Sequence, residues 1–143
     1  MRILLAALAV LVSMPAFAAD IETNKKAVID FYEKGLNQKD YDAAAKYFGP
    51  RYTQHNPTGV DGPEGFRKLV MLLKEKFPNS HGEIKRVIAE GDYVVLHVHS
   101  VREPGTRGRA IVDIFKLENG KIVEHWDVIQ DVPEKSANDN TMF

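Results

Sequence analysis

Two histidines one residue apart, His97 and His99, precede a single acidic residue in an apolar run, Val112-Asp113-Ile114-Phe115. A second polar cluster, Tyr52-x-Gln54-His55-Asn56-Pro57, lies upstream, and Glu124-His125-Trp126-Asp127 lies downstream. An aspartate beside a histidine under apolar cover is an acid–base couple: desolvation raises the carboxyl pKa and an imidazolium neighbour lowers it again. Such a couple can take a proton from carbon next to a carbonyl and return it elsewhere. The same two groups can equally form a buried hydrogen bond that only satisfies two polar side chains. His97 and His99 with Asp113 or Glu124 would also supply two imidazoles and one carboxylate to a metal. Gly91-x5-His97-x-His99-x3-Glu103 matches the first half of a cupin signature, but the second half is absent. Cupins are moreover all-β proteins that do not open with helices. No metal and no cofactor are expected, and nucleophile-elbow, Walker and dinucleotide motifs are missing.

Strands must position these residues. The pattern predicts strands over Ile84 to Ala89, Tyr93 to Arg102, Arg109 to Leu117 and Lys121 to Gln130, joined as a meander. A first hairpin centred on Thr106 sets His99 opposite Asp113 and His97 opposite Phe115. A second, turning on Asn119-Gly120, sets Asp113 opposite Trp126 and Phe115 opposite Glu124. Opposed side chains on one face stand ~4.5–5.5 Å apart at Cβ. One face thus carries Tyr93, Val95, His97, His99, Asp113, Phe115, Glu124, Trp126 and Val128, aromatic with a few ionisable groups, as a small-molecule pocket requires. A one-residue slip would take His99 off that face. The other face, with Val94, Leu96, Val98, Val112, Ile114, Val123, His125, Asp127 and Ile129, is also largely apolar. Helices can cover one face, so a homodimer is expected to bury the other.

Three helices precede the sheet. Thr23 is placed to cap the first, whose apolar face reads Ala27, Val28, Phe31, Tyr32 and Leu36. Asp40 caps the second, which Gly49-Pro50 ends. Pro63 opens the third, carrying Phe66, Leu69, Val70, Leu73 and Phe77. Tyr52 and His55 lie on an extended stretch before that helix, where His55 could reach the pocket mouth or simply initiate a turn. Tyr32 could offer its phenol to the pocket or pack in the core. Helices first and a meander after them indicate an α+β domain.

The chain has 143 residues, 44% hydrophobic and 27% charged, which suits one globular domain. Nineteen Lys and Arg against twenty Asp and Glu leave a net charge of −1, with no field to hold nucleic acid. Cysteine is absent, so disulfides and thiolate chemistry are excluded. Arg2, an apolar run from Ile3 to Val12, the break at Ser13-Met14-Pro15 and Ala16-Phe17-Ala18 read as a signal peptide over residues 1–18. That run is too short to cross a bilayer of ~30 Å. The domain is then 19–143, exported to the periplasm or medium and free of the membrane once cleaved.

Several stretches carry a family likeness: Asp30-Phe31-Tyr32, Tyr52 to Pro57, Asp61 to Phe66, Val112 to Phe115, Glu118 to Asp127 and the Asn140-Thr141-Met142-Phe143 ending. Together they closely resemble SnoaL-like proteins, the polyketide-cyclase branch of the nuclear-transport-factor-2-like superfamily, from about Asn24 to Phe143. The resemblance implies a cone, a curved antiparallel sheet around a central pocket closed by the three N-terminal helices. It implies a cofactor-independent acid–base enzyme of the aldol-condensation, lyase or isomerase type acting on a small hydrophobic carbonyl compound. Asp113 would then abstract the α-proton and His99 would bind the substrate carbonyl or its enolate. His55, His97, Tyr32 and Trp126 would shape the pocket. A binding module of the same fold, holding a small molecule without turning it over, is the alternative.

Overall fold

The computed structural model describes residues 17–143, with side chains from Ile21 onward. The expected leader lies outside the described residues up to residue 16. Helix α1 spans Phe17–Tyr32 and buries Ala27, Val28, Phe31 and Tyr32, the face read from the spacing. It already runs before Thr23, which is therefore internal and not its cap. A π-helical turn, Glu33–Asn37, extends α1, and the short α2, Tyr41–Ala45, follows. Asp40 caps α2 as expected: its carboxylate accepts from the Ala43 N–H at 2.9 Å, satisfying an otherwise orphaned donor.

Strand β1, Phe48–Gln54, starts before Gly49-Pro50, not after it. Pro50 fits there because β1 is an edge strand with a register irregularity between Phe48 and Thr53. Helix α3, Gly62–Lys76, has its proline in the first turn and buries Phe66, Val70 and Leu73. At its start the backbone comes close. A Cβ on Gly65 would run into the carbonyl of Val60, a main-chain group with little room to move. Gly65→Ala is therefore expected to cost at least about 1–3 kcal/mol, as overpacking does. A thermal midpoint within a degree of the parent's would contradict that.

Four further strands follow: β2 His81–Glu90, β3 Tyr93–Val101, β4 Arg109–Glu118 and β5 Lys121–Asp131. They form the expected antiparallel meander, in the sheet order β1-β5-β4-β3-β2. The sheet is curved, unclosed and mixed, not wholly antiparallel, because β1 runs parallel to β5. No hairpin joins those two strands; they are linked only through α3 and three other strands, so no tight turn imposes opposite directions. Helices α1 and α3 close over the inner face. There Phe31 stacks on Phe66 (4.7 Å between centroids) and meets Phe115 edge-on at 5.9 Å.

Both hairpins depart from the expected register, and each departure has a local cause. The first turns on Pro104-Gly105, where Gly105 takes φ +87° and the Thr106 N–H donates to the Glu103 carbonyl at 3.2 Å. That is the type II arrangement of proline followed by a left-handed glycine. Its centre lies ahead of Thr106, so His99 faces Ala110, His97 faces Val112, and Asp113 faces Leu96. The second hairpin turns on Asn119 (φ +50°) and Gly120 (φ +72°) and pairs Glu118 with Lys121 as expected. Val123 then bulges from the ladder, so Asp113 faces Asp127 and Phe115 faces His125. A bulge inserts one residue, which is enough to exchange the two faces of β5.

Candidate active site

The exchange of faces decides which residues meet. A cavity of about 470 Å³ lies between the helices and the inner face, and its lining includes Tyr32, Tyr52, Asp113 and Phe115 from the expected set. His99, His97, His55 and Trp126 do not line it. The expected pairing of His99 with Asp113 is absent, because the Pro104-Gly105 turn sets His99 on the outer face. There the His97 and His99 rings stack on the C-terminal Phe143, at 5.6 and 4.3 Å between centroids. His55 stacks on Trp126 at 4.5 Å with the planes 5° apart, and its Nε2 lies 3.4 Å from Glu124. Among the described residues a metal set of His97, His99 and Asp113 or Glu124 is likewise not assembled: Asp113 is inside, Glu124 pairs with His55 and Lys116, and His97 meets Arg86.

Asp113 meets His125 instead. The imidazole Nε2 lies 3.0 Å from Asp113 Oδ1, and both side chains are buried. Its Nδ1 lies 3.0 Å from Oε1 of Gln54, which also accepts the Asn56 N–H at 2.9 Å. An atom that accepts a backbone N–H is the amide oxygen, so Nδ1 must carry the hydrogen. In the neutral ring Nε2 is then a lone pair facing Asp113, and the two groups share one proton between them. Carboxylic acid with imidazole, or carboxylate with imidazolium, is net neutral either way, which makes the pair tolerable at this depth. Burial pushes the Asp113 carboxyl up, the His125 hydrogen bond and charge pull it back, and Asp127 pushes it up again; the net direction is upward.

Asp113 Oδ2 is buried and has no hydrogen-bond partner among the described residues. Asp113 is a cavity-lining residue, and an unsatisfied carboxylate oxygen there is a place for a proton to arrive. Tyr32 and Tyr52 line the same cavity, and burial first, then the Asp113 charge, holds both phenols protonated and able to donate. Gly82 makes room for one of them: a Cβ there would collide with the Tyr32 hydroxyl.

Gln54, Asn56, His125 and Asp127 were not among the expected site residues. The Asn56 amide donates to both Asp127 oxygens, at 2.7 and 2.9 Å, while its own oxygen accepts from Thr58 N–H and Oγ1. The Gln-His-Asn-Pro motif thus does three things: Gln54 sets the His125 tautomer, His55 packs outward, and Asn56 holds Asp127. Alternation along β1 already put Gln54 and His55 on opposite sides; which side faced the cavity was the missing information. Asp113, His125 and Asp127 also have ligand atoms within 4.8 Å of one another, as a shared cation would need. The Asn56 N–H donors aimed at Asp127 suit a hydrogen-bonded carboxylate better than a metal ligand.

Residues 28–125 match the SnoaL-like domain family. The chain belongs to the SnoaL-like family. No curated protein matches it in sequence. Among solved structures, the SnoaL-like chain is similar to TsrD from Streptomyces laurentii, with 20% identity over 74% of this chain and 87% of that one and a TM-score of 0.63. A candidate polyketide cyclase from Acidithiobacillus ferrooxidans gives 21% identity over 75% and 87%, with a TM-score of 0.63. A nuclear-transport-factor-2-like protein from Cytophaga hutchinsonii gives 20% over 75% and 89%, with a TM-score of 0.62. At these identities the likeness is one of fold, and it agrees with the SnoaL-like cone described above. The roles of individual residues rest on the site itself.

Proposed function

We propose that this protein is a cofactor-independent acid–base enzyme that moves a proton on a small carbonyl compound, as an aldol cyclase, lyase or isomerase does. The observation that carries the reading is Asp113, a cavity-lining residue whose Oδ2 has no partner among the described residues, backed by His125 in a set tautomer. With the shared proton on His125 Nε2, Asp113 is a carboxylate and can accept the α-proton of a bound carbonyl compound. Charge then develops on the carbonyl oxygen, where a Tyr32 or Tyr52 hydroxyl can donate, a contribution of several kcal/mol in a dry site. Return of the proton to another atom completes the transfer and restores the pair. The test is solvent-deuterium incorporation at the α-carbon of small hydrophobic ketones, read by mass spectrometry. Incorporation no faster than in buffer across such a panel would leave the alternative, a binding module of the same fold.

The outer face supports a second copy. Tyr93 and Val112 are well exposed there, and Val128 is 68% exposed, around the His55–Trp126 stack. We propose that a homodimer covers this face and that residues 1–18 are removed on export to the periplasm or medium. Native mass spectrometry of protein recovered from the exporting cell reads both. A dimer of chains beginning at Ala19 is expected; a monomer retaining Met1 would refute both statements.

A further inference from the structure

We propose that the ligand is an organic anion, its anionic oxygen head held between Arg102 and Arg109 and its reactive carbon at Asp113. The reactive-carbon half rests on the acid–base reading above; the anionic head rests on separate observations. Ser100 pairs with Arg109 across β3 and β4, so Arg102, two residues further on, continues on the face of Ser100, diagonal to Arg109. Diagonal neighbours stand ~7–8 Å apart. Both arginines line the cavity. Among the described residues neither guanidinium has a carboxylate or hydrogen-bond partner; Arg102 only lies over the Phe77 ring, 5.5 Å from its centroid.

Two like charges side by side at a partly buried position oppose each other. Burial first, then the Arg109 charge, lowers the Arg102 pKa from its ordinary value. That cost is recovered when an anion sits between them, and forked N–H donors match an oxyanion in bidentate geometry. A third donor is at the same end. Ser80 precedes His81, the partner of Val101, and so stands level with Arg102; its Oγ is buried, has no partner among the described residues and belongs to a cavity-lining residue. Asp113 lies four residues along β4 from Arg109, about 13 Å by strand rise. A ligand lying along β4 therefore meets cations at one end and the proton acceptor at the other, with Ile111 between them and Phe115 beyond Asp113.

Calorimetry on the full chain tests this with three probes long enough to reach from the arginines to Asp113: 8-oxo-8-phenyloctanoate, its primary amide, and 7-oxo-7-phenylheptylphosphonate. At least tenfold tighter binding of an acid than of the amide is expected, and Arg102→Gln/Arg109→Gln should remove that preference. The double variant should melt no lower than the parent, since it relieves a repulsion. The tighter of the two acids identifies the head as carboxylate or phosphate-like. Equal binding of acid and amide, binding of neither acid, or a preference that survives the double variant would overturn the proposal. Deuterium exchange on the same compounds separates the two readings. Exchange without acid preference defeats the anion site alone, and acid preference without exchange defeats the acid–base reading alone.

Discussion

Asp113→Asn should fold as well as the parent or better and lose proton-transfer turnover by about 10²–10⁴-fold, the usual contribution of a positioned acid or base. The fold survives because His125 carries its hydrogen on Nδ1 and offers Nε2 as an acceptor, to which the N–H of the substituted amide can donate. The chemistry does not survive, because an amide cannot accept the substrate's proton. The stability prediction has a sign. The Asp113 carboxyl is pushed up by burial in the folded protein. Its contribution is fully present below the ordinary carboxylate value of ~3.9 and is lost as pH rises through the higher folded value. The asparagine has nothing to lose there. The variant should therefore gain on the parent as pH rises through that window. Denaturant titrations at pH 4 and pH 8 read the difference, and an exchange assay reads the turnover. An asparagine variant that exchanges α-protons as fast as the parent would remove Asp113 from the mechanism.

His125→Leu should do the opposite. Removing one partner of a buried pair strands the other, at a cost of about 3–5 kcal/mol. Without the imidazole, the hydrogen bond and charge that pull the Asp113 carboxyl down are gone, and desolvation pushes it up unopposed. The folded pKa rises further above the unfolded one, so the penalty grows as pH climbs from the ordinary carboxylate range and shrinks near pH 4. The double variant Asp113→Asn/His125→Leu should recover part of the loss at pH 7, because no carboxylate is then left stranded. A penalty equal at pH 4 and pH 7 would mean that lost packing of the ring against Phe115, 4.7 Å between centroids, is the cause instead.

The elements were legible because their signals are local. Asp40 caps α2, Pro63 opens α3, Phe66, Val70 and Leu73 face inward, and Asn119-Gly120 turns a hairpin with both residues at positive φ. Each depends on neighbours a few residues away. The candidate site was half legible on the same terms. Tyr32, Tyr52, Asp113 and Phe115 reach the cavity, while His55, His97, His99 and Trp126 do not. The miss arose in the turn between β3 and β4. Pro104-Gly105 was the better centre, and moving the hairpin from Thr106 to that dipeptide shifts its register by an odd number of residues. The bulge at Val123 had no such signal, since Val123 is an ordinary strand residue in sequence.

Read alone, the chain specifies the order of helices and strands, the Asn119-Gly120 turn, the inward stripes of α1 and α3, and the family likeness. The first three follow from periodicity and from residues that restrict their own backbone; the likeness is one of shared motifs. The β1–β5 parallel pairing and the meeting of Asp113 with His125 come from the tertiary structure alone. It also set Gln54 against that imidazole and left Arg102 and Arg109 at the cavity with no carboxylate partner among the described residues. These depend on which face of each strand turns inward. Where both faces of a sheet are apolar, alternation leaves the two choices close in energy. A bulge and the covering helices then make the choice, and neither is written in any one strand.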